Sequence, residues 1–175
     1  MISRFFTFEE HATLLEGAYH FPLVILSLMV AIFASFMAFN VAGQAAITED
    51  KLRRNTLLGT GSVALGGGIW SMHFLGMTAF DLCLPVDYDP LITGLSAVPG
   101  FAAAWVALHL LTKSRISLAE IMIGGVLVGA GIGTMHYSGM AAMEMAPLLR
   151  YDLGMFALSI VVAVCLAMLS LWIKF

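Results

Sequence analysis

The chain has 175 residues, of which 61% are hydrophobic and only 11% charged, against about 45–50% apolar and about 25% charged in an ordinary soluble domain. This excludes a soluble globular protein, and the formal charge of −3, from 8 Lys+Arg against 11 Asp+Glu, excludes the basic footprint of a nucleic-acid binder. Two cysteines, Cys83 and Cys165, are too few for a disulfide framework.

Residues 1–21 carry Arg4, Glu9, Glu10, His11 and Glu16. They read as an extracytoplasmic segment rather than the basic start of a cleavable signal, so the first hydrophobic stretch is expected to be a retained anchor. Five spans follow in order: Pro22–Ala42, Leu57–Ala79, Leu91–Thr112, Leu118–Ala142 and Leu153–Ile173. Each is long enough to cross an apolar layer about 30 Å thick. No segment alternates as a barrel strand does, so the spans are helices that satisfy their own backbone groups in lipid. The fold class is therefore all-α, a polytopic membrane bundle of about five helices. Lys51, Arg53 and Arg54 follow the first span, Lys113 and Arg115 the third, and Lys174 the fifth. Six of the eight basic residues thus share one side, which places the N-terminus outside and the C-terminus in the cytoplasm.

The chain repeats itself. Gly66–Met77 (GGGIWSMHFLGM) aligns without gaps to Gly129–Met140 (GAGIGTMHYSGM), with seven of twelve positions identical. A second pattern, Tyr-[His/Asp]-x5-Leu-Ser, begins at Tyr19, Tyr88 and Tyr151 and opens each odd-numbered span. Tyr88 to Tyr151 and His73 to His136 are both steps of 63 residues, so one repeat generates both patterns. The expected units are residues 22–79 and 80–142 as helix pairs, with residues 143–175 opening a third pair. The absent second helix of that pair is read as the mark of an excerpt from a longer protein.

His73 and Met77 stand four apart, as do His136 and Met140, so each pair shares a helix face. Gly66 and Gly129 lie seven residues before the histidines, and small residues at that spacing let membrane helices approach closely. If the two motif helices pack together, His73, His136, Met72, Met77, Met135 and Met140 converge near the outer face. Thioether sulfur is a soft donor suited to copper, and imidazole also binds copper. A copper site on these six residues is the sharp reading, with Tyr137, Trp70, Asp81 or Glu144 as surrounding groups and His11 and His20 as auxiliary ligands. The plain reading is that the histidines serve packing, the glycines helix contact, and the other methionines lipid-compatible filling. Tyr19, Tyr88 and Tyr151 read as interfacial anchors. His109 lies toward the cytoplasmic end of its span, away from this cluster, and both cysteines read as structural or incidental.

The hexads Met72-His73-Phe74-Leu75-Gly76-Met77 and Met135-His136-Tyr137-Ser138-Gly139-Met140 resemble the motif of the MHYT domain, a bacterial integral-membrane sensor domain. The resemblance covers nearly the whole chain and implies copper ligation by Met72, His73, Met135 and His136, with Tyr137 as a contributor. It implies sensing of dioxygen, carbon monoxide, nitric oxide or redox state, and fusion to a cytoplasmic output module of cyclic-di-GMP signalling. The departures are Phe74 for tyrosine, Leu75 and Ser138 for threonine, and two motifs where the family pattern has three. The expected protein is a sensor and not itself an enzyme. It sits multi-pass in the bacterial inner membrane with the lipid bilayer and the output domain as partners, a homodimer by analogy, and binds no nucleic acid. A haem- or copper-binding electron carrier and a copper transporter are the alternatives.

Overall fold

The structure is a computed structural model and describes residues 6–7, 17–82, 85–145 and 151–175. Five long helices fill it: α1 (Phe21–Ile47), α2 (Lys51–Thr78), α3 (Pro90–Leu111), α4 (Leu118–Ala141) and α5 (Leu153–Lys174). Four of them, α1, α3, α4 and α5, are long and apolar enough to cross a membrane. The fifth, α2, carries six glycines within its 18 residues from Gly59 to Gly76, so its length spans but its composition is less apolar than its neighbours'. It lies between α1 and α3, which shield it from lipid on two sides. The outward surface of the bundle is apolar, with Ile25, Phe33 and Phe36 on α1 and Val161, Leu166 and Trp172 on α5 exposed. Such a surface belongs against lipid.

Helix ends follow local chemistry. Asp89 and Asp152 cap α3 and α5 by accepting backbone N–H bonds from the first turn, and Pro90 fits the start of α3 where no donor is needed. Ser117 and Glu120 form a reciprocal capping box on α4, and Lys113 pairs with Glu120. Asp50 caps α2, which starts at Lys51, six residues earlier than the expected Leu57. Lys51, Arg53 and Arg54 therefore sit on the first turn of α2 instead of in a loop, and Arg54 donates to Thr112 Oγ1 at 3.3 Å.

Short strand pairs tie the opposite ends of the helices, a feature the sequence reading did not contain. β2 (Ala18–Tyr19) pairs antiparallel with β3 (Phe80–Asp81), and β4 (Asp87–Tyr88) with β5 (Met143–Glu144). β6 (Tyr151–Asp152) pairs in parallel with β1 (Phe6–Thr7). The His20 N–H donates to the Ala79 carbonyl at 2.7 Å and the Asp89 N–H to the Ala142 carbonyl at 2.9 Å. Each helix pair is thus antiparallel and stapled at the end remote from the basic turns.

The glycines set how close the helices come. A Cβ on Gly66 would stand 2.8 Å from the Phe101 Cα, and one on Gly129 2.7 Å from the Val164 Cα. Phe101 and Val164 are again 63 residues apart, so α2 against α3 and α4 against α5 are the same contact made twice.

Candidate functional site

The two motif histidines meet. His73 on α2 and His136 on α4 face each other with their Nδ1 atoms 3.3 Å apart and their ring centroids 4.6 Å apart. The helices do not pack along their length, since α3 lies between them over most of it. They touch at the stapled end, where Gly139 admits the His73 ring: a Cβ there would stand 3.0 Å from Nε2. Among the described residues this Nε2 is buried without a hydrogen-bond partner, an expensive condition for a ring nitrogen and one that calls for a functional account.

A cavity of about 590 Å³ opens beside the pair, toward the strand staples. Met72, Met77 and Met140 line it, together with His20, Asp81 and Met143. Met72 is held by its backbone, whose carbonyl accepts from Ser27 Oγ at 2.9 Å. Met135 does not line the cavity. It is buried against Gly100 of α3, whereas its repeat counterpart Met72 lines the cavity.

Tyr137 keeps an edge contact with the His136 ring, centroids 4.9 Å apart, but its hydroxyl is engaged elsewhere. Its hydroxyl bonds Ser159 Oγ at 2.5 Å, and its ring packs on Tyr151 and Phe156 with centroids 5.4 and 4.4 Å away. Trp70 bonds Ser96 and the Thr93 carbonyl rather than the histidines. Glu144 lies in β5 outside the lining. Tyr88 packs on Phe74 at 5.8 Å as Tyr151 packs on Tyr137, so these two tyrosines are partners of the motif aromatics. Burial raises both phenol pKa values, with Tyr137 adding to the shift at Tyr151. His109 is exposed in the last turn of α3, at the basic end. Cys165 is exposed on α5, whereas His11 and Cys83 lie outside the described residues.

Gly76 and Gly139 were not singled out from the sequence, yet one lines the cavity and the other seats His73. Their signal was present: each stands three residues after its histidine, on the same helix face.

Chemically, the facing nitrogens can do one of two things. A neutral imidazole carries one N–H and one lone pair, so one Nδ1 donates to the other at 3.3 Å. Alternatively both lone pairs meet one ion, because two bonds of about 2.0–2.1 Å at a tetrahedral angle span about 3.3 Å. Among the described residues no three His, Cys, Asp or Glu side chains gather as a metal site. The thioethers of Met72, Met77 and Met140 line the same cavity, beside His20 and Asp81, so soft donors suited to a soft cation are at hand.

A helix bundle built from a duplicated unit, with paired Met-His segments meeting under a cavity at the end opposite its basic turns, defines a multi-pass membrane protein of repeat architecture. The family model described as the bacterial signalling protein N terminal repeat, MHYT, matches residues 66–124 and 129–175, and this chain belongs to that family. The two matches start 63 residues apart, the spacing of the histidines. The chain is 40% identical over 93% of its length to the bifunctional diguanylate cyclase/cyclic di-GMP phosphodiesterase MucR of Pseudomonas aeruginosa. It is 31% identical over 95% of its length to the signaling protein YkoW of Bacillus subtilis. To the cyclic di-GMP phosphodiesterase NbdA of Pseudomonas aeruginosa it is 33% identical over 85%. It spans 24%, 20% and 19% of those three proteins. No solved structure matches it.

Proposed function

We propose that this chain is a sensory input domain of the bacterial inner membrane that binds copper near the outer face through His73 and His136. Met72, Met77 and Met140 are the candidate thioether donors, and the ligand read there is a diatomic gas (O2, CO or NO) or a redox change. The single observation behind this reading is the 3.3 Å approach of two histidines that the repeat places 63 residues apart. Bound copper would supply an open-shell or Lewis-acidic centre for a diatomic ligand, and thioethers favour its Cu(I) form. The protein's part is to hold two imidazoles at fixed separation, to present thioethers from one turn further along each helix, and to bury the site beneath a cavity. Met135, packed on α3, is left out of this donor set.

The output is a cytoplasmic module of cyclic-di-GMP signalling, as the names of MucR and NbdA suggest, and a dimeric module would bring two copies of this bundle together. Catalysis resides in that module. The geometry favours a shared ion over haem, since imidazoles with centroids 4.6 Å apart and rings inclined at 57° leave no slot for a macrocycle. Copper transport is disfavoured because the Met-His pairs sit only at one end of α2 and α4.

The test is elemental analysis of detergent-purified protein after Cu(I) loading, with His73→Ala and His136→Ala in parallel. Near-stoichiometric copper in the wild type and its loss in both variants is the expected result. Copper absent from the wild type, or retained in both variants, would reduce the histidines to packing groups.

A further inference from the structure

The serine of the repeated Tyr-[His/Asp]-x5-Leu-Ser pattern has a geometry that metal binding does not explain. Ser96 Oγ donates to the Thr93 carbonyl at 2.7 Å and accepts from the Trp70 indole N–H at 3.0 Å. Ser159 Oγ donates to the Phe156 carbonyl at 2.8 Å and lies 2.5 Å from the Tyr137 hydroxyl. A serine has one proton. With that proton on the Phe156 carbonyl, Ser159 is the acceptor and Tyr137 the donor.

Adding 63 carries Thr93 to Phe156 and Ser96 to Ser159, so the two networks are copies in everything but the donor. Adding 63 to Trp70 gives Gly133, and adding it to Phe74 gives Tyr137. The donor has therefore moved by one helical turn between the repeats. Side-chain volume has moved with it. A Cβ on Gly133 would stand 2.6 Å from Ile160 Cδ1, and the residue at the place of Ile160 in the first repeat is Ala97. The third pattern serine, Ser27, reaches the same region from α1 by donating to the Met72 carbonyl.

We infer that the pattern serines are latches that position the Met-His segments, and that Trp70 supplies in the first repeat the donor that the motif lost when Phe74 replaced tyrosine. Among the described residues the latch residues make no hydrogen bond to either histidine ring, although the Tyr137 ring stands edge-on to His136 with centroids 4.9 Å apart. They fix α2 and α4 within a turn of His73 and His136, and so act through helix position. The inference rests on those histidines being the working part of the bundle, but not on the identity of any ion.

The test uses the full chain, metal-free, in detergent, with Trp70→Gly, Phe74→Tyr, Ser96→Ala and their combinations. Two readouts are taken: the apparent Tm and the 15N shifts of the histidine rings. Trp70→Gly is expected to lower the Tm and to move the His73 ring signals. Phe74→Tyr in that background is expected to recover at least half of the Tm loss and to return the His73 signals toward wild type. Adding Ser96→Ala abolishes the rescue. No recovery, or recovery that survives Ser96→Ala, overturns the inference. If Trp70→Gly does not fold, Trp70→Phe keeps a ring and removes the N–H. Its effect on the Tm, about 2–4 °C for one hydrogen bond, is expected to vanish when Ser96 is already alanine. A Tm that falls while the His73 signals stay fixed would show a purely structural bond and overturn the positioning role. Failure of copper loading leaves each of these outcomes readable.

Discussion

His73 and His136 hold their Nδ1 atoms 3.3 Å apart across two helices that are otherwise separated by α3. Two lone pairs cannot face each other at that distance without a proton or a cation between them. The pair is therefore a single unit, and its two members are energetically coupled. Replacing either with alanine is expected to weaken Cu(I) binding at least tenfold, and the double replacement to weaken it little further. Competition titration with a Cu(I) chelator measures this, and additive losses would show that the two rings act independently.

Glycine substitutions should divide by sign. A Cβ at Gly66 would meet the Phe101 backbone at 2.8–2.9 Å, which cannot yield as a side chain does. Gly66→Ala and Gly129→Ala are expected to push α2 from α3 and α4 from α5, lowering the Tm by several degrees. At Gly43 and Gly94 an added Cβ meets nothing within 4 Å. Alanine there is expected to stabilise by about 0.5–1 kcal/mol, the usual difference between the two residues inside a helix. Thermal denaturation of the four variants side by side decides it.

Asp89 caps α3 through two backbone N–H groups at 2.8 Å each. Asp89→Ala is expected to cost about 1 kcal/mol and Asp89→Asn much less, because asparagine keeps the accepting oxygen. The same contrast is expected at Asp152. Hydrogen exchange at the first turns of α3 and α5 reports the effect locally, and equal exchange in Asn and Ala variants would dismiss the cap.

Tyr88 and Tyr151 lie outside the spans, and burial lifts their phenols above the ordinary value. A raised pKa means that the folded state favours the neutral phenol. That contribution is whole below the unfolded pKa of about 10 and is lost as pH rises through the folded value. Stability is thus expected to decline above about pH 10, less steeply in Tyr151→Phe. Tm against pH, with phenolate absorbance followed in parallel, checks the sign.

Much of this arrangement is legible in the amino-acid order. The duplicated glycines at 66 and 129 announce the close approaches that Phe101 and Val164 complete, and the 63-residue step places the histidines in equivalent positions. The membrane character follows from composition, although α2 shows that a helix between two others can be less apolar than the lipid-facing ones. What the order withholds is direction around a helix in context. Met72 and Met135 are equivalent in the repeat, yet one lines the cavity and the other is buried on Gly100. The cavity extends on the α1 side, past His20 and Leu23, and no periodicity shows on which side of a motif helix open space remains. The two-residue strand pairs escape for a different reason, since they are too short to alternate.

Those strand pairs make each helix pair resemble tongs riveted at one end. The rivets at Ala18–Tyr19 with Phe80–Asp81, and at Asp87–Tyr88 with Met143–Glu144, lie close to the histidines. The basic turns lie at the far tips. A helix of 28 residues is about 42 Å long, so a tilt of about 5° at the rivet carries the tip by roughly 3–4 Å. On that geometry a sub-ångström adjustment between two imidazoles would be geared up to a displacement the size of a side chain at the basic tips.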